Sequence, residues 1–170
     1  MIMVEMEPGP ASSGTDSGTT LVTVTNVAPE LTDVAATAIV ENGTTTLTAT
    51  VTDPGTVETF TVDGNWGDGT AVETFRLAAG ATSLSRTHQY LDENPSATAS
   101  DLYTISLKIT DDDTGTDEAE GAVTVSDVAP ESTNLPVEPT IISENEVIVV
   151  FGTFMDVGTL DTHTVSIDWG

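Results

Sequence analysis

The side chains able to do chemistry in this sequence are overwhelmingly acidic. Asp and Glu number 28 against three Lys and Arg and two His, giving a formal net charge of −25 over 170 residues. Nucleophilic catalysis needs a nucleophile, a base beside it and a group that orients the base. His88 and His163 are far apart in the chain and in unlike contexts, and cysteine is absent, so neither such a set nor a zinc site can be assembled. Carboxylate pairs of the glycosidase kind could be drawn anywhere among so many acids, which makes any one pair uninformative. The expectation is a protein that is not an enzyme. Hard-cation binding is the chemistry that remains. Calcium takes about six to eight oxygens, several of them from carboxylates, and Asp111-Asp112-Asp113 offers three in succession.

The charge also excludes partners. Nucleic acid and anionic membrane surfaces both require a basic face. No apolar run approaches the ~18 residues that cross a bilayer. The first residues, MIMVEME, are too short and too acidic for a secretory signal, and 1–20 reads as a Gly, Pro, Ser and Thr-rich leader or linker.

The elements that must position the acids are short alternating strands. Residues 44–52, TTTLTATVT, put Leu47, Ala49 and Val51 on one face with threonines opposite. Residues 59–66 form a second strand, ended by the turn Gly67-Asp68-Gly69-Thr70, whose glycines permit positive φ. Strands at 71–77, 84–90, 102–110 and 120–125 follow, the strongest carrying Tyr103, Ile105, Leu107 and Ile109 at period two. No segment keeps a helical period. The fold class is all-β, the pattern of a sandwich. Trp66 and Trp169, each closing a strand, are expected in the core, His88 and His163 are expected as strand residues, and Asn42-Gly43-Thr44 as a hairpin turn.

The sequence repeats itself. Val27-Ala28-Pro29-Glu30 recurs as Val128-Ala129-Pro130-Glu131 at an offset of 101, and DPGTVETFTVDGNWG from Asp53 recurs as DVGTLDTHTVSIDWG from Asp156 at an offset of 103. The implied organisation is a last strand of a preceding repeat at 21–26, a complete repeat at 27–127 and the first half of a following repeat at 128–170.

Trp66-Gly67-Asp68-Gly69-Thr70, then His88-Gln89-Tyr90, then the strand Leu102-Tyr103-Thr104-Ile105-Ser106-Leu107-Lys108-Ile109-Thr110-Asp111 resemble, in that order, the motifs of PKD (polycystic kidney disease) repeats of bacterial or archaeal surface and secreted proteins. Val27-Ala28-Pro29 resembles the segment that opens each copy in tandem arrays of that family. Residues 91–101 depart from the pattern, being longer than the usual short turn, and the sequence assigns them no role. The resemblance implies an immunoglobulin-like β-sandwich of extracellular or cell-surface location, used as a spacer, an interaction module or an accessory domain of secreted hydrolases.

In such a sandwich the approach to the first strand and two of the loops share one end. Here these are 26–30, 53–56 and 111–115. Asn26, Glu30, Asp53, Asp111, Asp112 and Asp113 would meet there around a calcium ion, and Asp127, Glu131 and Asp156 repeat three of these places in the next copy. Some calcium-binding PKD-like domains take ligands from these same regions. A solvated acidic turn, or a surface adapted to high salt, would read alike. The functional expectation is a non-catalytic adhesion spacer, stiffened by calcium at joints with the neighbouring repeats of its parent chain. The alternative is an accessory module that binds polysaccharide or a cell-surface protein. The apolar run 147–151 is expected either to pack on the complete repeat or to drive self-association.

Overall fold

The computed structural model describes residues 21–93, 98–138 and 140–169, so the leader 1–20 lies outside the described residues. Among the described residues there are twelve strands and no helix. Eight of them build a sandwich: β1 (Glu30–Ala36), β2 (Ile39–Val40), β3 (Thr44–Thr52), β4 (Phe60–Asn65), β5 (Glu73–Leu77), β6 (Ser83–Gln89), β7 (Ser100–Thr110) and β8 (Thr116–Ser126). One sheet has the order β1-β3-β6, the other β2-β8-β7-β4-β5. All pairings within them are antiparallel except β2 with β8, where the chain crosses from the first sheet to the edge of the second. This is an immunoglobulin-like β-sandwich.

Period-two patterning generates the core. Thr45, Leu47, Ala49 and Val51 of β3 point inward, facing Phe60 and Val62 of β4, Ile105, Leu107 and Ile109 of β7, and Val123 and Val125 of β8. A one-residue slip of any of these strands would turn its apolar set to water, which fixes the register.

An aromatic corner ties the sheets together. Trp66 stacks on His88 with ring centroids 4.5 Å apart, His88 meets Tyr90 edge-on at 4.9 Å, and the buried Tyr90 hydroxyl donates to the Trp66 carbonyl at 2.7 Å. Asp68 accepts from Thr70 N and Thr70 Oγ1 and pairs with His88 Nε2 at 2.7 Å. Burial opposes its charge, but the His88 and Thr70 hydrogen bonds outweigh burial and hold the carboxyl below its ordinary value. Gly67 and Gly69 have φ of 79° and 84°. At Gly67 any side chain would also strike the Thr104 carbonyl, so glycine is needed twice over.

The remaining strands are β9 (Glu131–Asn134), β10 (Val137–Glu138), β11 (Val149–Val150) and β12 (Thr153–Met155). β9 pairs antiparallel with β12, with Glu131 opposite Met155 and Ser132 opposite Phe154. Shifted back by the sequence offsets, these pairs become Glu30 with Thr52 and Leu31 with Val51, which are the first pairs of β1 with β3.

Four expectations need correction. Residues 21–26 form no strand, and Leu21, Val22 and Val24 are exposed, because no described strand offers them a ladder. Trp169 is 67% exposed whereas Trp66 is 3% exposed, since no described sheet covers the former. His163 lies outside any strand, edge-on to Phe154 at 4.6 Å. Of the run 147–151 only Val149–Val150 is strand, paired with β10, and Val147 and Phe151 stay exposed, so the packing branch of that expectation is set aside and the self-association branch is left standing. The Asn42 turn stands as expected, with φ of 55° at Asn42 and Gly43 N donating to Val40 O at 3.0 Å.

Tyr90→Phe keeps the ring and leaves the buried Trp66 carbonyl without its donor. Urea unfolding should show a loss of about 1–2 kcal/mol. An unchanged midpoint would show that the corner does not depend on this bond.

Candidate functional site

Carboxylates gather at both ends of the sandwich. At the first end, the loop after β3 carries Asp53 and Glu58, and the β7–β8 loop carries Asp111. One oxygen from each lies within 4.8 Å of the others. Oxygens bound to calcium at 2.3–2.6 Å stand no more than about 5 Å apart, so the spread suits such an ion. Asn26 Nδ2 donates to Asp111 Oδ2 at 2.8 Å, which brings the incoming segment to the cluster. Asp111 is further satisfied by the backbone N–H groups of Asp113 at 3.0 Å and Gly115 at 2.7 Å. Asp53 Oδ1 accepts from Gly55 N at 2.6 Å, while Asp53 Oδ2 and Glu58 Oε2 are buried with no hydrogen-bond partner. Burial first, then the charges of Asp53, Asp111 and Asp112, push the Glu58 carboxyl above its ordinary value.

At the other end, Glu41 from the turn after β2, Asp92 and Glu93 from the β6–β7 loop, and Asp161 from the following segment again place one oxygen each within 4.8 Å of the others. Glu41, Asp92 and Glu93 are 0%, 5% and 3% exposed. Glu41 Oε1 accepts from Val128 N at 2.7 Å, but Glu41 Oε2, both Asp92 oxygens and Glu93 Oε2 are buried without a partner. Burial, then Asp161, Asp127 and Asp156, raise Glu41 despite the Val128 bond. Burial, then Asp92 and Asp161, push Glu93 up to about 7, and Asp161 is raised by burial and by Asp92, Asp156 and Asp127. The cationic side chains lie elsewhere. Arg76, Arg86 and Lys108 sit within β5, β6 and β7, with Arg86 at 3.9 Å from Glu73 and Lys108 at 3.4 Å from Glu118.

Among the residues expected from the sequence, Asn26, Asp53 and Asp111 come together. Asp112 lies alongside, its Oδ1 accepting from Thr59 N at 3.3 Å. Glu30, Asp113 and Glu131 have exposed side chains outside both clusters. Asp127 and Asp156 act on the second cluster through their charge, and Asp156 Oδ2 stands 3.5 Å from His163 Nε2. Sequence reasoning missed Glu58, Glu41, Asp92, Glu93 and Asp161. Glu58 and Asp161 carried a signal, since an acid recurs there at the offset of 103. Asp92 and Glu93 carried another, the extra length of 91–101.

The sign of the pH response follows from Glu93, whose carboxyl rises from an ordinary 4.5 to about 7 on folding. Folded protein then holds the proton more tightly than unfolded chain, so this stabilisation is full below 4.5 and is lost as pH rises through about 7. In chelator, the melting temperature of the wild type should fall across that window. Glu93→Gln should melt several degrees higher than wild type at neutral pH, with a flatter pH profile. Identical profiles in scanning calorimetry would remove Glu93 from this account.

No protein-family profile and no curated protein sequence matches the chain. Among solved structures, the crystal structure of the chicken CNTN1 FN1-FN3 domains is similar at 16% identity and a TM-score of 0.34, covering 75% of this chain and 42% of that one. The chain thus spans less than half the length of that structure. The sandwich assignment rests on the sheet order and the two-faced core of this chain itself.

Proposed function

We propose that the chain is a non-catalytic spacer and adhesion module of an extracellular or cell-surface protein, one unit of a tandem array of PKD-like repeats whose joints are stiffened by calcium. The observation that carries this reading is the convergence of Asp53, Glu58 and Asp111, with Asn26 of the incoming segment, at the end of the sandwich where a preceding unit would attach. Left alone these charges repel one another, and a divalent ion would turn that repulsion into attraction between segment and sandwich. Support also comes from the repeated register of β1 with β3 in β9 with β12. The alternative, an accessory module that stacks on polysaccharide, has less in its favour. Phe60, Trp66, Phe75, Tyr90 and Tyr103, the aromatics of the sandwich, are all buried or half-buried, so they offer sugars no exposed platform.

Calcium in roughly 5–10 mM excess over chelator should stabilise the protein by about 1–3 kcal/mol if its affinity is that of other extracellular modules. Asp53→Asn should lose most of the part owed to the first end. Scanning calorimetry with and without calcium checks this. Equal midpoints in wild type, with Asp53→Asn equally silent, would overturn the calcium part of the proposal.

A further inference from the structure

The second cluster differs from the first in one decisive respect: three of its four acids, Glu41, Asp92 and Glu93, are almost wholly removed from water. A buried carboxylate is stable only when donors, a proton or a cation compensate it. Asp111 meets this condition through three donors. Asp92 has no hydrogen bond to either carboxylate oxygen, and Glu41 and Glu93 each keep one orphaned oxygen. One carboxylate oxygen of each lies within 4.8 Å of the others and of one from Asp161, which arrives from the chain beyond the sandwich.

We infer that Glu41, Asp92, Glu93 and Asp161 form a second divalent-cation site, selective for calcium, which fastens the segment after the sandwich to its far end. Four carboxylates with few routes for water suit calcium, which sheds its hydration readily, better than magnesium, which keeps several waters. Backbone geometry already favours docking. Glu41 Oε1 accepts from Val128 N, Asp127 N donates to Ala99 O at 3.1 Å, and Gly158 is buried where any side chain would collide with the carboxylates of Glu41 and Asp161. The elongated stretch 91–101 gains a role, since it brings Asp92 and Glu93 to the joint. Tyr103 Oη fixes the backbone beside the site by donating to the Asp92 carbonyl at 3.1 Å.

The inference deepens the tandem-repeat reading and rests on it in one respect. Asp156, Gly158 and Asp161 are the counterparts of Asp53, Gly55 and Glu58 at the offset of 103. Gly55 is likewise crowded by its own acid, Glu58. The two clusters are therefore the same loop, seen once at the leading end of the sandwich and once docked on the carboxylates of the unit before it. A complete joint combines both, with Glu41, Asp92 and Glu93 from one unit and the counterparts of Asp53, Glu58 and Asp111 from the next.

The test is calorimetric titration of calcium chloride into the chelator-stripped full chain, with a limited-proteolysis readout on the link at 127–131. Wild type should bind calcium and become resistant to cleavage there. The Asp92→Asn/Glu93→Gln double variant and Asp161→Asn should each weaken one binding event by about tenfold or more and lose the protection. Asp161 is only half-buried, so its variant tests the site without threatening the core. Asp53→Asn should keep this event and its protection. Calcium binding by Asp161→Asn at wild-type strength, with the link still protected, would overturn the inference. Binding lost only in Asp53→Asn would also overturn it while leaving the proposed function standing. No binding in any form of the protein would defeat both.

Discussion

A carboxylate taken out of water must find donors, a cation or a proton, and this one constraint orders the whole molecule. Only three lysine and arginine side chains face 28 acids, so salt bridges can serve few of them. The sandwich solves the problem differently at each place. Asp111 is wrapped by backbone N–H groups and Asn26, which also closes the β7–β8 loop. Asp117 accepts from Leu31 N at 2.8 Å, tying the first strand to the second sheet. Asp68 is held by His88 and Thr70, and the same bonds brace the aromatic corner beneath. Where donors run out, at Glu41, Asp92 and Glu93, the chain has reached the end of the sandwich and the beginning of the next segment.

The fold was legible because it is written in local alternation. Leu47, Ala49 and Val51, or Ile105, Leu107 and Ile109, announce a face whatever their partners, and Gly67-Asp68-Gly69 announces a turn through backbone preference alone. β1 and β2 were less legible, since β1 breaks its register between Thr32 and Ala35, where Asp33 takes a φ of 53°. β2 is too short to show a period at all. Trp169 and residues 21–26 carry strand-like patterns but no described partner, and a pattern without a ladder does not fold.

The acidic sites were legible only in part, for a related reason. A run such as Asp111-Asp112-Asp113 draws attention through its density, yet only the first of the three is built into a cluster and the third is exposed. Glu41, Asp92, Glu93 and Asp161 are scattered along the chain with no common spacing. What joins them is topology: the turn after β2, the β6–β7 loop and the chain leaving β8 all emerge at one end of the sandwich. The repeat offset at Asp161 and the extra length of 91–101 hint at single members, but only burial shows that they belong to one site.

Burial also separates two explanations that net charge could not. An acidic surface suited to high salt works through hydrated carboxylates spread over exposed positions. Glu118, Glu120, Asp112 and Asp113 are of that kind. Glu41, Asp92 and Glu93 are not, because side chains withdrawn from solvent cannot organise a hydration layer. Their desolvation is a standing cost at neutral pH, and a fold that only needed acidity would have left them outside. The two populations therefore differ in kind, one hydrated around the sandwich and the other withdrawn from solvent where Asp161 of the following segment meets its end.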